Sequence, residues 1–428
     1  MEVGSEDKLT RTAGNGLLNR RTFFQKGIVW IGSATAGTSM AASLTGDHAP
    51  AWMKTPGAPF RGYGQPSPYA ESIQRKHLQP YGEMAPGSGV SVTPLQDLHG
   101  IITPNGLHFE RSHNGVPAID PEKHELFIHG MVSLPLKFSY NDLLRYPTIT
   151  RTCFIECSGN GLFNSNLFTE PKQLPVGHLH GVMSTAEWTG IPLSTLLDEA
   201  GIDSGATWLL AEGADAAGMS RSIPVSKAMD DAMIALFQNG EPVRPEQGYP
   251  MRLLLPGFEG NSQVKWLRRI KATNAPTYTK DETSKYSELL PDGTANLFSL
   301  SMGVKSAITR PALPYRLNGK GFYEVSGLGW SGHGSVTRVE VSADGGRSWA
   351  DAELSAPILP MSPVRFRIPW QWDGSPSVLM SRAHDDQGNV QIPRSEWSAK
   401  YAAGQLYHNN SIQAWDIAAD GEIKNVWS

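Results

Sequence analysis

The sequence contains very little cysteine. Its 428 residues include two, Cys153 and Cys157, whereas a zinc or iron–sulfur site built from protein side chains usually takes about four ligands, several of them cysteines. The C-x-x-C-H motif that attaches c-type haem is also absent from the sequence. We therefore expect neither a cysteine-rich metal site nor covalently bound haem in this chain.

An excess of basic residues is missing as well. Lysine and arginine number 37 against 41 aspartates and glutamates, which gives a formal net charge of −4. Proteins that bind nucleic acid usually present a strongly basic surface. The charge balance therefore argues against a nucleic-acid partner, and the length predicts a globular protein of two or three domains.

Long hydrophobic runs are scarce, and the clearest one lies near the N-terminus. The stretch NRRTFFQKG (19–27) places two arginines before two aromatic residues, and the weakly apolar run GIVWIGSATAGTSMAASL follows it. Its Gly, Ser and Thr residues make it marginal for spanning a bilayer, although an amphipathic helix or a membrane anchor is an alternative interpretation. We predict a twin-arginine export signal over residues 1–46 and a periplasmic mature protein without a membrane span.

The composition and hydrophobic pattern of the rest of the chain change twice. Residues 47–100 are rich in proline and glycine, which predicts an extended segment packed on the core, with a short helix near residues 71–78. Residues 101–300 mix short strands and helices without a repeating βαβ pattern, which predicts an α+β domain; within it, Asn239-Gly240 is expected to end a helix. Residues 301–428 alternate polar and apolar positions around short turns, which predicts an all-β immunoglobulin-like sandwich.

The two cysteines flank the stretch CFIEC, which continues as SGNG (158–161). Its alternation predicts a strand, in which residues four apart lie roughly 13 Å from each other, whereas the Cα atoms of a disulfide lie within about 7 Å. A nucleophilic thiol would need a paired base that the sequence does not reveal. A single thiolate can also ligate a metal that an organic dithiolene already holds. We expect Cys153 to be an inert, buried thiol.

Several motifs, in the same order, resemble the sulfite oxidase family of molybdenum enzymes over about residues 100–428. The stretch ECSGNG resembles the metal-binding loop of that family, and FERSHNGVPAIDPEKHELFIHG (109–130) resembles a segment that faces the cofactor. The stretch GYPMRLLLPGFEGNSQVKWLRRI (248–270) resembles the strand and loop around the pterin phosphate, and GLGWSGHGSVTRVEVSADGGRSW (327–349) resembles the start of the C-terminal sandwich. The resemblance implies one molybdenum–molybdopterin cofactor per chain and no haem in this chain.

The resemblance also implies roles for individual residues. Cys157 would ligate the metal, Arg111 and Arg367 would face the substrate as permanently charged forks, and Tyr286 would hydrogen-bond a ligand of the metal. Taken singly, each arginine is more often a surface ion-pair partner. The residues implied to contact the pterin and its phosphate are Phe109, Arg111, His113, Asp215, Gln247, Arg252, Gln263, Val264 and Lys265.

Two positions depart from the usual sulfite-oxidising pattern. Leu162 stands where the family usually has an arginine that binds the small anion, and Gln247 replaces a histidine near the pterin. Loss of a charge-assisted hydrogen bond weakens an anion site by about 1.5–3 kcal/mol. The pattern resembles the sulfane dehydrogenase branch, the molybdenum subunit of the Sox thiosulfate-oxidising system. That resemblance implies oxidation of sulfane sulfur on a carrier protein to a sulfonate, with electrons passing to a cytochrome c subunit.

Three other functions stay open at this point. A sulfite dehydrogenase acting on free sulfite is favoured by Arg111 and Arg367. An exported branch of the family that reduces methionine sulfoxide resembles only the domain at residues 101–300. If the chain held no molybdenum, a binding module would be the leading interpretation. The sandwich of the family implies a homodimer, which we expect to form a heterotetramer with the cytochrome subunit.

Overall fold

The computed structural model describes residues 12–18, 50, 53–78 and 85–428. The twin-arginine motif and the apolar run after it lie outside these residues. Within the described ranges, no helix is long and apolar enough to cross a membrane. An α+β region is followed by an all-β sandwich, which confirms the predicted fold class.

Short strands and short helices build the α+β region. Its helices are α1 (Tyr140–Leu143), α2 (Val176–His180), α3 (Leu193–Ala200), α4 (Val225–Asp230) and α5 (Lys280–Thr283). Its strands are β1 (Lys76–Leu78), β2 (Gly89–Val92), β3 (Glu110–Ser112), β4 (Glu125–Gly130), β5 (Leu136–Ser139), β6 (Ile149–Glu156), β7 (Met183–Pro192), β8 (Trp208–Gly213), β9 (Ser220–Pro224), β10 (Met233–Gln238), β11 (Glu241–Pro242), β12 (Arg252–Leu254), β13 (Leu267–Thr273), β14 (Glu288–Leu289) and β15 (Ala295–Asn296).

These strands form two five-stranded sheets and two smaller ones. The first large sheet has the order β11-β10-β7-β6, with β12 also paired to β10, and the second has the order β5-β4-β13-β8-β9. In the second sheet β13 runs parallel to β4 and antiparallel to β8. Strands β1, β2 and β3 form a third sheet, and β14 pairs with β15. Strand β2, from the proline- and glycine-rich segment, pairs with β3 of the following region.

One amphipathic helix joins the two large sheets. Leu193, Leu196, Leu197 and Ala200 recur at helical spacing, and all four are buried in the core that also contains residues of both sheets. Full burial of each leucine stabilises the fold by roughly 1.5–3 kcal/mol. The apolar face of α3 thus packs against both sheets.

Two local predictions are wrong. Residues 71–78 form a turn and strand β1 rather than a helix. Asn239-Gly240 closes a hairpin between β10 and β11 instead of ending a helix. The run before it, Met233–Gln238, is apolar and almost wholly buried because β10 lies between β7 and two further strands. Such a central strand has no alternation that distinguishes it from a buried helix.

The first strand of the sandwich begins at Lys305. Its strands are β16 (Lys305–Arg310), β17 (Gly321–Trp330), β18 (Val336–Ser342), β19 (Ala350–Asp351), β20 (Glu353–Ser355), β21 (Val364–Trp372), β22 (Ser377–Asp385), β23 (Gln413–Ile417) and β24 (Ile423–Trp427), with one helix, α6 (Arg394–Lys400). One sheet has the order β16-β17-β21-β20 and the other β19-β18-β22-β23-β24. Trp330, Trp370 and Trp415 are fully buried in the core of the sandwich.

Candidate active site

Cys157 stands at the point where strand β6 ends and a tight turn begins. Its backbone N–H donates to the carbonyl of Val182 at 2.9 Å, and the N–H of Asn160 donates to the Cys157 carbonyl at 2.8 Å. Gly161 closes the turn with φ of +89°, a conformation that favours glycine. Cys153 lies four residues earlier, within β6, where its thiol is buried and not in a disulfide. The predicted strand is confirmed, and both cysteines are free thiols.

A buried polar cluster fixes this turn from behind. The carboxylate of Glu156 accepts hydrogen bonds from Asn160 Nδ2 and from Trp330 Nε1, both at 2.7 Å, and lies 3.3 Å from Lys305 Nζ. Lys305 and Trp330 belong to the sandwich, so both regions of the chain hold the thiol loop. The charges of Glu156 and Lys305 are both buried and paired, so this cluster holds the thiol loop firmly in place.

A pocket opens in front of the Cys157 thiol, with about 670 Å³ of empty space that includes open solvent. Eleven of the twelve residues implied by the family resemblance line it: Phe109, Arg111, His113, Cys157, Asp215, Gln247, Arg252, Gln263, Val264, Lys265 and Tyr286. They come from five separate stretches of sequence, which the sheets bring together.

Arg252 supplies a buried cation on the wall of this cavity. Its Nη1 donates to the carbonyl of Gln247 at 2.9 Å and its Nη2 to the carbonyl of Gln263 at 3.1 Å, while Nε has no hydrogen-bond partner among the described residues. Burial lowers the pKa of Arg252 to about 9. The guanidinium remains charged at neutral pH, with carbonyl dipoles but no contacting carboxylate in the described chain.

Lys265 adds a second cation next to it. Its ammonium donates to the carbonyls of Arg111 and Glu246 at 3.0 and 2.9 Å. Burial and the neighbouring charge of Arg252 lower the pKa of Lys265. Burial destabilises the charged forms of both Arg252 and Lys265, so a bound anion would stabilise the site.

Arg111 lies at the thiol end of the same cavity. Its Nη1 donates to Ser88 Oγ at 3.2 Å and to the carbonyl of Ser112, neither of which carries a charge. Burial raises the pKa of the Cys157 thiol, whereas the Gly159 backbone and the charge of Arg111 act to lower it. A cation that needs no protein counter-ion is therefore available beside the sulfur.

His113 and Tyr286 form a pair at the rim of the thiol end. Their Nε2 and hydroxyl oxygen lie 2.9 Å apart. Burial, helped by the charge of Arg111, lowers the pKa of His113 to about 3, and burial raises the pKa of the Tyr286 phenol. Both groups are therefore neutral at physiological pH and share one hydrogen bond, whose direction depends on the His113 tautomer.

A network of buried charges behind Tyr286 was not predicted. The Arg221 guanidinium lies over the Tyr286 ring, 5.2 Å from its centroid, and pairs with Glu259 at 2.9 Å and with Glu282 at 3.5 Å. His408 lies between Glu259, at 3.0 Å, and Glu288, at 3.3 Å. Burial alone would lower the pKa of His408, but the two carboxylates outweigh it and raise the pKa to about 9. No sequence motif links these residues, since Glu259 and His408 are 149 positions apart.

Arg367, which the family resemblance assigned to the substrate, lies away from the other candidate residues in the described chain. Arg367 lies on β21, where its Nε contacts Glu324 at 3.2 Å and its Nη1 donates to Ser355 at 2.9 Å. It does not line the cavity. Glu324 stands on the neighbouring strand β17, so the guanidinium has a local partner on its own sheet and remains there.

Other lining residues lay inside or near the motifs without being singled out. Ser112, Ile155, Gly260, Asn261 and Trp266 adjoin predicted residues, and Met219 follows Asp215 in the β8–β9 loop. Their proximity in sequence was the available signal. Leu162, in contrast, opens a short turn at residues 162–164 and is not part of the lining.

The comparisons with known proteins agree with this geometry. Residues 113–280 match the model of the oxidoreductase molybdopterin binding domain, and residues 297–415 match that of the Mo-co oxidoreductase dimerisation domain. The crystal structure of the sulfane dehydrogenase SoxCD from Paracoccus pantotrophus superposes with a TM-score of 0.86 at 41% identity, covering 89% of this chain and 98% of that one. This chain belongs to the sulfite oxidase family.

More distant members of the family are longer proteins. Mitochondrial sulfite oxidase from Mus musculus is 31% identical over 73% of this chain and 62% of its own length. The NADH nitrate reductase of Solanum lycopersicum is 32% identical over 66% of this chain and 34% of its own length. The chain thus spans about three fifths of the mouse sulfite oxidase, so the activities of these longer proteins do not transfer to it directly.

The residues of the cavity fit the cofactor that the family implies. The unpartnered Nε of Arg252 and the ammonium of Lys265 suit a phosphate, which accepts several charge-assisted hydrogen bonds. The described residues contain no cluster of three or more His, Cys, Asp or Glu side chains that could hold a metal unaided. A metal at Cys157 would therefore need ligands from an organic group, as a molybdopterin dithiolene provides.

Proposed function

We propose that this protein is a periplasmic molybdenum oxidoreductase that oxidises sulfane sulfur on a carrier protein to a sulfonate and passes the electrons to a cytochrome c subunit. Converting carrier–S–S⁻ to carrier–S–SO₃⁻ takes three oxygen atoms from water and releases six electrons and six protons. The cytochrome c subunit is the oxidant and accepts these electrons. The chain itself carries no c-type haem motif.

The charge at the thiol end of the cavity carries this proposal. Arg111 lines the cavity at this end. Leu162, which stands where the family usually has an arginine, and Arg367 are both absent from the lining in the described chain. A free dianion such as sulfite is best held by several cations, whereas a persulfide bears one charge and gains binding energy from the carrier protein as well. The 41% identity to a sulfane dehydrogenase supports the same substrate.

The residues of this chain would position the substrate and the cofactor. When bound at Cys157, the molybdenum group supplies two-electron oxidation. Arg252 and Lys265 would hold the phosphate, and the Arg111 guanidinium would attract the anionic sulfur. Tyr286 and His113 are neutral and adjacent at the rim, where they can hold or pass a proton at the phenol oxygen.

The location and the partners belong to the same proposal. The arginine pair in residues 19–27 supports export of the folded, cofactor-loaded protein. The match of residues 297–415 to a dimerisation domain supports a homodimer, which with two cytochrome subunits would form a heterotetramer.

The test compares two substrates on purified, cofactor-loaded protein mixed with its cytochrome. We expect about one molybdenum per chain, rapid cytochrome reduction with carrier-bound persulfide, and little with free sulfite. The variant Cys157→Ser should lose at least about a thousandfold in rate, equal to about 4 kcal/mol, and Cys153→Ser serves as its matched control. Rapid turnover of free sulfite would instead identify a sulfite dehydrogenase, and absence of molybdenum would disprove both.

A further inference from the structure

The residues Thr12–Leu18 lie on one edge of the sandwich. Leu17 is fully buried and belongs to the same hydrophobic core as Trp370 and Trp372. The N–H of Thr12 donates to the Leu17 carbonyl at 3.0 Å and closes the segment into a compact loop. A short segment inside the predicted signal region, ahead of its arginine pair, thus buries a large apolar side chain inside a folded domain.

The segment extends a sheet of the sandwich. Leu17 stands opposite Trp370 of β21 in an antiparallel bridge. The N–H of Leu18 donates to the Pro369 carbonyl at 3.0 Å, and the N–H of Gln371 donates to the Gly16 carbonyl at 2.9 Å. Strand β20 pairs with β21 between Arg365 and Arg367. In the described chain, the segment therefore covers the part of the β21 edge that β20 does not reach.

Side chains of the sandwich also bind the segment. Trp370 Nε1 donates to the Asn15 carbonyl at 2.5 Å, and Asn15 Nδ2 donates to the Ala343 carbonyl at 2.9 Å. The N–H of Gly14 donates to Ser348 Oγ at 2.8 Å. Ala343 and Ser348 lie in the loop after β18, so the binding surface combines one strand and one loop of the folded sandwich.

The segment fits this surface with little room to spare. Asn15 and Gly16 both have positive φ, 55° and 88°, which favours asparagine and glycine. A Cβ atom at Gly16 would collide with the Gln371 carbonyl oxygen, and one at Gly14 would collide with the Asp344 carboxylate. The surface therefore selects a Gly-Asn-Gly-Leu sequence by shape and by backbone hydrogen bonding.

We propose that this edge of the sandwich is a peptide-binding site whose ligand is the segment Thr12–Leu18, held as a detachable strand. Because strand and loop must both be in place, the segment binds the folded sandwich and not the unfolded chain. One residue separates Leu18 from Arg20 of the predicted signal, so docking ties that signal to a folded domain until the N-terminal region is removed. The role of docking in holding the signal rests on the proposed export, whereas the binding site itself does not.

The test measures hydrogen exchange by mass spectrometry on the full-length protein. Leu17→Asp places a charge in the core, so we expect exchange in peptides containing Gln371 to rise about tenfold or more, while β23 stays protected and shows that the sandwich is folded. Gly14→Asp, which sets a second carboxylate beside Asp344, should do the same. Thr12→Ser, a change at an exposed side chain, is the matched control.

A synthetic peptide provides the decisive step. The peptide TRTAGNGLLN (residues 10–19), added to the Leu17→Asp protein, should restore protection at Gln371, and the peptide carrying Leu17→Asp should not. Unchanged exchange in both variants, or no protection by the peptide, would overturn the binding site. Replacing Arg20 and Arg21 by lysine tests export separately, because it should block export without changing the exchange at Gln371.

Discussion

Two buried arginines of this protein have opposite surroundings. Arg221 lies between the carboxylates of Glu259 and Glu282, which are themselves buried. Arg252 is just as inaccessible to solvent, yet within the described chain its guanidinium contacts two backbone carbonyls and no carboxylate. A buried ion needs compensation, so the first arginine has its counter-ions in the fold and the second awaits one from a ligand.

This difference distinguishes scaffold from binding site more sharply than burial does. The pKa of Arg252 is lowered to about 9 by burial, and Lys265 beside it is shifted in the same direction. Behind Tyr286 the opposite holds, because two carboxylates raise the pKa of His408 to about 9. The charged forms of Arg252 and Lys265 are destabilised by the fold, and these residues line the candidate anion site. The charged form of His408 is stabilised by the fold, and this residue belongs to the network behind the site.

The largest effect is expected for Arg221→Met in protein produced without the cofactor. The variant leaves Glu259 and Glu282 without their buried cation, so the free energy of unfolding should fall by about 3–5 kcal/mol. Urea denaturation measures this, and adding Glu259→Gln should recover part of the loss. A change below about 1 kcal/mol would show that Arg221 is no better compensated than Arg252.

The pH dependence of stability should separate the two groups next. His408 has a folded pKa of about 9 against about 6.5 unfolded. Its contribution, at most about 3 kcal/mol, is therefore fully present below pH 6.5 and is lost as the pH rises towards 9. His408→Gln should remove this loss in urea titrations of cofactor-free protein.

Lys265 should act in the opposite direction in the same titration. Its folded pKa is lowered, so its charged form destabilises the cofactor-free protein at low pH, and stability rises as the pH increases from the lowered pKa towards the unfolded value near 10.4. Lys265→Met should abolish this rise. Equal slopes in the His408 and Lys265 variants would contradict the distinction between the two groups.

Arg252→Met should affect the cofactor rather than the fold. Loss of a charge-assisted hydrogen bond of about 1.5–3 kcal/mol predicts roughly 10- to 150-fold weaker cofactor binding. The unfolding free energy of the cofactor-free protein should stay the same or rise, since an uncompensated charge is removed. Pterin and molybdenum contents report the first effect, and urea denaturation reports the second; a large loss of stability would refute it.

Tyr286→Phe tests whether the compensated network reaches the chemistry. The variant keeps the ring under Arg221 but loses the hydroxyl that contacts His113. We expect about tenfold slower turnover, near 1.4 kcal/mol, at unchanged molybdenum content. Wild-type turnover would assign Tyr286 to packing alone.

Arg367→Gln should have the smallest effect. Its pair with Glu324 is partly exposed, and such pairs contribute less than about 1 kcal/mol. Turnover and cofactor content should match the wild-type protein. A loss of activity larger than threefold would restore the role that the family resemblance implied for this arginine.

The sequence predicted most of the cavity but not its support. Residues such as Cys157 and Arg252 lie in contiguous motifs, and the two-region architecture follows from the change of texture near Ser301. The network of Arg221, Glu259 and His408 could not be predicted, because its members meet through tertiary packing and carry no local pattern. The contact of Arg367 with Glu324 could not be predicted either, because the two residues meet only when their strands pair.

The contact of Lys305 and Trp330 with Glu156 bears on how the molecule can be taken apart. A shortened protein ending near residue 300 would remove two of the three hydrogen-bond partners of the Glu156 carboxylate. We expect such a fragment to be inactive, although it contains all of residues 113–280, which match the molybdopterin binding domain. By the same reasoning, calorimetry of the whole chain should show one cooperative melting transition in place of two.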